Sequence, residues 1–287
     1  MADKKKPILT ILLLTYNHET SISAAIDSVL EQKTSYPYEI WILEDCSTDN
    51  TLKICEEYAA RYPEKIKLIA QPKNTKSQHL LKALQKLRSN YFCILEGDDS
   101  WCHDKKVQIA INFLEKNPEY TMFAHDTLSK DSNTGEQKSF VHDILKKRIS
   151  NPVTFENNIG HLHSSSRIYR NVVDFNKTPA IWDTHIFYAF LDKGPLYYHD
   201  EVMSVYNYTG EGKWSSLNSK QQAMVFDESS YKCNKLLEFR HDDFFTNKVT
   251  KPDSLRKIKR LLGKKLGWKV YLIRSTIING KSPLKLS

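Results

Sequence analysis

No Gly-x-Gly-x-x-Gly follows the first apolar run of this chain and no Gly-x-x-x-x-Gly-Lys-Ser/Thr occurs in it. A dinucleotide fingerprint and a P-loop are therefore excluded as phosphate cradles. Ser164-Ser165-Ser166 lacks the flanking glycines of a nucleophile elbow, which removes local support for a serine hydrolase. Five cysteines, at 46, 55, 93, 102 and 233, include no Cys-x-x-Cys pair. Their odd number, and the lack of a signal-peptide pattern, fit a reducing cytoplasm. No apolar run approaches the ~20 residues of a spanning helix, so a soluble or peripheral protein is expected. Internal repeats and low-complexity tracts are also missing, and 287 residues with 40% hydrophobic content suffice for one large core with an appended tail.

What the chain does have is alternation. Ile8 to Leu14 is a near-continuous apolar run ending in Thr15-Tyr16-Asn17, followed by helical spacing of Ile22, Ala25, Ile26, Val29 and Leu30 between about Ser21 and Gln32. Glu39 to Leu43 reads as a second strand running into Glu44-Asp45, and Ser47, Thr48 and Asp49 offer caps for a helix through Tyr58 and Ala59. Ile66 to Ala70 is a third strand and Ser77 to Leu87 a third helix, before Tyr91 to Leu95 runs into Glu96-Gly97-Asp98-Asp99. Strands alternating with helices predict an α/β fold, a Rossmann-like, mostly parallel sheet with helices on both faces.

Ligands of such sheets bind beyond the carboxyl ends of the strands, where three polar clusters here converge. Adjacent carboxylates repel each other unless a cation or a proton offsets the repulsion, so Asp98-Asp99 reads as a metal site or a catalytic pair, the alternative being an acidic turn. Hard oxygen ligands favour Mg²⁺ or Mn²⁺, which would neutralise a nucleotide diphosphate at this edge.

These residues resemble the inverting family 2 glycosyltransferases of the GT-A fold, in the bacterial type with a Glu-Gly-Asp-Asp-x-Trp motif, over roughly residues 7 to 125. Thr15-Tyr16-Asn17 is similar to the opening nucleotide loop. Glu44-Asp45-Cys46-Ser47-Thr48-Asp49 is similar to the Asp-Asp-x-Ser-x-Asp motif, with Glu44 where Asp is usual, and Glu96-Gly97-Asp98-Asp99 to the Asp-x-Asp-type metal motif. The resemblance implies donor contacts from Thr15, Tyr16, Asn17, Glu19, Asp45, Lys76 and Asp98, with Asp45 accepting a hydrogen bond from the base. It implies Asp99 and Asp98 at the metal, Mn²⁺ or Mg²⁺. Similarity of order and context puts Asp183, ahead of Ile186, Phe187, Ala189, Phe190 and Leu191, at the catalytic-base position, the alternative being a helix cap. Thr209 stands where a His would be expected, which questions a third protein ligand to the metal, and Lys213 reads as a solvated loop lysine, with a place facing the diphosphate as the alternative.

His161-x-His163 would put two rings on one strand face, as structural histidines first, with a metal pair or acceptor contacts as the alternatives. Ser129 to Lys138 and Asn247 to Ser254 read as linkers, and 218 to 246 as helical. The expected organisation is a catalytic domain over 1–215, with a nucleotide-binding half to residue 100 and an acceptor half from 101, then a helical extension over 216–287. Residues 251 to 287 hold eleven Lys or Arg and one Asp against +8 for the whole chain, so the basic excess belongs to the tail. Apolar and basic residues interleave over 251–275 as in an interfacial helix, with an anionic membrane surface as partner; docking on the domain is the alternative, and nucleic acid is not expected. The resemblance thus implies transfer of a sugar from a nucleotide-sugar donor, a UDP-sugar, to a glycan or lipid-linked glycan acceptor at the cytoplasmic face of the membrane. A sugar nucleotidyltransferase and a noncatalytic metal- or membrane-binding module are the alternatives.

Overall fold

The computed structural model describes residues 7–75, 77–141, 143–157, 162–178, 182–208 and 217–278. It divides into two compact units, one of 1–183 with 190–209, the other of 184–189 with 210–287.

The first unit is built on a mixed sheet. β1 (Leu9–Thr15), β2 (Tyr38–Glu44), β3 (Ile66–Ala70) and β4 (Tyr91–Glu96) run parallel in the order β3-β2-β1-β4. Between and after them lie α1 (Ile22–Leu30), α2 (Thr51–Arg61), α3 (Ser77–Lys86) and α4 (Lys106–Lys116). The sheet continues through β8 (Ile168–Arg170), β6 (Met122–Asp131), β9 (Leu196–Tyr208) and β5 (Ser100–Trp101), with β7 (Gln137–Ser139) added to β6. The expected mostly parallel α/β sheet is found, with antiparallel pairings at β8, β7 and β5. Thr10 and Leu12 are as fully buried as Leu9, Ile11 and Leu13, so both faces of β1 are covered, which is why its sequence is apolar without alternation. The linker expected over Ser129 to Lys138 is instead the β6–β7 hairpin, turned at Gly135 with φ of 74°.

Lys106 is an exception inside this core. It is wholly buried, its ammonium donates to the Ser165 carbonyl, and it lies 4.1 Å from the Trp101 ring centre. Burial pushes its pKa from 10.5 down to about 7. Between those values the unfolded chain holds a proton that the folded chain has lost, so stability rises with pH across that window; the penalty is full below about pH 7 and gone above about pH 10. Lys106→Met should therefore gain most in melting temperature over the wild type near pH 7, with the gain shrinking toward pH 10. An advantage that does not change with pH would show that Lys106 does not titrate there.

α6 (Asp183–Leu191) contributes Asp183 and its last two residues to the first unit, where Phe190 packs against Phe92 and Tyr169. α5 (Asp143–Lys146) is a single turn whose Lys146 pairs with buried Asp126.

The second unit is helical, with α7 (Ser219–Leu236), α8 (Asp242–Lys248) and α9 (Pro252–Ile278). Buried Asp242 organises it, accepting hydrogen bonds from Asn234, Trp268 and Lys259. Asp227 likewise accepts from Thr250 and Tyr271, so the Asn247–Ser254 stretch is held rather than a free linker. The single interfacial helix expected over 251–275 is corrected in two respects. α9 is broken at Gly263, and Leu255, Trp268 and Tyr271, expected on the membrane face, are buried within the unit.

Candidate active site

Sheet register aligns the carboxyl ends. Thr15 on β1 pairs with Glu44 on β2, and Leu14 pairs with Glu96 on β4, so the three expected polar clusters meet on one edge. The β1 and β2 loops are then fastened together by side chains. Asn17, at φ 56°, donates its backbone N–H to Ser47 and accepts from the Thr48 N–H. Glu19 accepts from Asn50, both backbone and side chain, at the start of α2, while its own N–H donates to Asp49. In this structure Asn17 and Glu19 therefore shape the loop, and Tyr16 leaves its ring 42% exposed.

Glu44 is fully buried and accepts from the N–H groups of Cys46 and Ser47, which holds Cys46 at φ 64°. Asp45 is buried beside it, and one of its oxygens accepts from the Thr75 N–H at 2.7 Å and hydroxyl at 2.9 Å. The β3–α3 loop is thus tied to Asp45. Lys76, the next residue, lies outside the described residues, as do His161, Thr209 and Lys213. Asp45→Ala should weaken UDP binding by about 1 to 3 kcal/mol, the range for losing a charged hydrogen-bond partner. An unchanged dissociation constant by calorimetry would remove Asp45 from the pocket.

Asp98 and Asp99 differ in surroundings. The Asp98 side chain is 40% exposed and 3.8 Å from the His18 ring; Asp99 is 2% exposed, accepts from the Asn207 N–H at 3.3 Å, and lies 3.7 Å from His163 Nδ1. Burial, then the neighbouring Asp98 and Glu96 carboxylates, raise the Asp99 pKa well above the usual range. Neither nearby ring supplies a cation at neutral pH. Burial and then the Arg167 charge push His163 down to about 3, and burial lowers His18 against the opposing pull of Asp98 and Asp49. Gly97, just before Asp98, leaves room for the loop after β1, since a Cβ there would meet His18 Nδ1 at 2.7 Å and Thr15 Oγ1 at 3.0 Å.

Two carboxylates with no lysine or arginine in ion-pair contact among the described residues make a fitting half-site for Mg²⁺ or Mn²⁺. Such ions are commonly held by one or two carboxylates and completed by phosphate oxygens and water. Among the described residues no group of three or more His, Cys, Asp or Glu could form a complete protein cage.

Asp183 opens α6 with its side chain 46% exposed, and its Oδ2 lies 3.2 Å from Arg167 Nη2. Arg167 is almost fully buried and also donates to the Leu162 and His163 carbonyls. Contacts therefore run from Asp99 through His163 and Arg167 to Asp183. His18, Arg167 and Asn207 were not singled out from the sequence. His18 directly follows the Thr15-Tyr16-Asn17 loop, which is a usable signal, whereas a buried Arg after three serines has none. His163, expected on a strand, instead caps a short 3₁₀ turn at Ser164–Ser166.

The chain is similar to known proteins over most of its length. An uncharacterized protein of Mycobacterium tuberculosis is 28% identical over 214 residues, 72% of this chain, and the chain spans only 61% of that relative's length. Poly(ribitol-phosphate) beta-N-acetylglucosaminyltransferase TarS of Staphylococcus aureus is 21% identical over 88% of this chain and 39% of its own. The crystal structure of TarS 1–349 with UDP-GlcNAc matches 93% of this chain and 79% of that one, at TM-score 0.66 and 19% identity. The mannosyltransferase PcManGT of Pyrobaculum calidifontis, in complex with GDP-Man and Mn²⁺, matches 81% of this chain and 66% of its own at TM-score 0.58 and 17% identity. These likenesses give the GT-A fold. The family model described as Glycosyl transferase family 2 matches residues 10–175, which takes in β1 through β4 and the Asp98-Asp99 turn, and the chain belongs to that family.

Proposed function

We propose that this protein transfers a sugar from a UDP-sugar to a hydroxyl group of a bacterial cell-surface or lipid-linked glycan, with inversion and with a divalent cation. The observation that carries the reading is the convergence of Asp45, Asp98 and Asp99 on one sheet edge, where, among the described residues, the two adjacent carboxylates have no lysine or arginine in ion-pair contact. TarS, whose structure holds UDP-GlcNAc, supports the donor class and the polyol-phosphate type of acceptor, and PcManGT with Mn²⁺ supports the cation.

In this reading Asp45 accepts from the base and Tyr16 offers a ring face to it. Asp98, the more exposed of the pair, faces the ribose or the sugar, and Asp99 with Asp98 would hold Mn²⁺ or Mg²⁺. When bound, the cation would supply positive charge opposite the departing diphosphate. Asp183 accepts the proton of the acceptor hydroxyl as its oxygen bonds to the anomeric carbon, and the bond to the diphosphate breaks with its electron pair. Arg167 holds the Asp183 carboxylate in place.

Thermal shift against UDP-, GDP-, CDP- and dTDP-sugars with Mn²⁺ tests the reading. Stabilisation by UDP-sugars above the others, followed by donor turnover, is the expected result. No shift with any nucleotide would leave a noncatalytic module.

A further inference from the structure

The helical unit carries an exposed surface of its own. α9 leaves helical geometry at Gly263, with φ 75° and ψ 169°. Beyond it the chain turns back on itself, since a Cβ on Gly267 would lie 2.8 Å from the Cα of Lys259. Eight residues along a straight helix would stand about 12 Å apart, so α9 is a hairpin of two arms with Gly263 in its turn. Its inner residues Leu255, Trp268, Tyr271 and Leu272 are buried.

At the turn that burial stops. The seven residues 260–266, Arg-Leu-Leu-Gly-Lys-Lys-Leu, are all exposed. A helix packed on its own domain hides a residue every third or fourth position, which this stretch does not; the Lys265 ammonium, 6.0 Å from the Phe239 ring centre, is a contact made by a long side chain and not by an apolar face. Leu261 at 83% and Leu266 at 52% are the most exposed large apolar side chains among them, and Leu262 is 43% exposed. Around the leucines, Lys257, Arg260, Lys264 and Lys269 have no carboxylate in ion-pair contact among the described residues, unlike Arg256 and Lys259. An open cavity of about 340 Å³ beside Gly263 is lined by Arg256, Lys259, Arg260 and Lys264 together with Asp242 and Asp243.

We propose that the 260–266 turn is a docking tip for an anionic lipid bilayer, placing Leu261, Leu262 and Leu266 at the headgroup boundary and Arg260 and Lys264 against lipid phosphates. Charge complementarity selects this occupant, since from 251 onward the sequence holds eleven cationic residues and one acidic one. Exposed leucines set among unpaired cations match the two requirements of interfacial binding, apolar burial and attraction to anionic headgroups. No helix among the described residues is long and apolar enough to cross the membrane, so the contact would be peripheral.

Cosedimentation of the full chain with phosphatidylglycerol–phosphatidylcholine vesicles, against phosphatidylcholine alone, tests the proposal. The wild type should pellet with the anionic vesicles at low salt and be released by high salt. Arg260→Gln/Lys264→Gln should weaken binding about 25-fold, at about fivefold per charge. Leu261→Gln/Leu266→Gln should weaken it by about tenfold or more per leucine. Both pairs are exposed, so wild-type melting temperatures are expected and would separate lost binding from lost folding. Wild-type protein remaining in the supernatant at low salt overturns the proposal, as does equal binding to phosphatidylcholine alone or unchanged binding of the leucine variant. A dimer that the leucine substitutions dissociate, with no vesicle binding, would assign the tip to self-association instead.

Discussion

Asp99→Asn should abolish Mn²⁺-dependent binding of UDP and turnover while the unliganded protein melts at the wild-type temperature or above it. Asp99 is a buried carboxylate beside Asp98 and Glu96, and among the described residues neither it nor Asp98 has a lysine or arginine in ion-pair contact. Removing that charge relieves repulsion, and an amide oxygen can still accept from the Asn207 N–H. In the thermal-shift experiment, UDP with Mn²⁺ at about 100 times its dissociation constant should stabilise the wild type by ~2.7 kcal/mol, and Asp99→Asn by nothing measurable. A UDP affinity in the wild type that EDTA leaves unchanged would instead remove the cation from the proposed site.

The contrast between Asp99 and its neighbours shows what sequence patterns could and could not convey. β1 to β4 and the helices between them were legible because near-continuous apolar runs and helix-period runs are each dictated by burial on a sheet or a stripe. Their carboxyl-edge clusters followed, since parallel register brings the ends of Thr15, Glu44 and Glu96 level. Arg167 was not legible, because its role depends on folding back to α6, sixteen residues on, and no local period records that contact. The need for glycine at 267 was not legible for a related reason: the hairpin requires it, since any side chain there meets the backbone at Lys259, and no local pattern records that approach. The burial of Trp268 and Tyr271 also depends on partners far along the chain, Asp242 and Asp227, which an amphipathic pattern cannot distinguish from a membrane.

Asp183→Asn should lower turnover by about 10² to 10⁴ with donor affinity nearly unchanged, the range for losing a positioned general base. Asparagine keeps an oxygen for the Arg167 guanidinium and preserves the start of α6, while it cannot accept the hydroxyl proton. The competing role is structural: Arg167 is almost fully buried, and Asp183 is a carboxylate in contact with its guanidinium at 3.2 Å. Loss of that charge should lower the melting temperature, by less than for a fully buried pair because Asp183 is 46% exposed. The two roles separate when turnover is measured well below the melting temperature of the variant. A base gives a loss in kcat that persists there with KM for the donor unchanged, whereas a structural partner gives wild-type kcat at low temperature and premature inactivation on heating. Full turnover in Asp183→Asn would move the search to the β9 acids Asp200 and Glu201 and to Asp192. Of these, Glu201 contacts His103 and His199, Asp200 contacts Lys146, and Asp192 contacts Lys193. None of those contacts leads to Asp99, whereas His163 and Arg167 join Asp99 to Asp183, which is why Asp183 is the residue to substitute first.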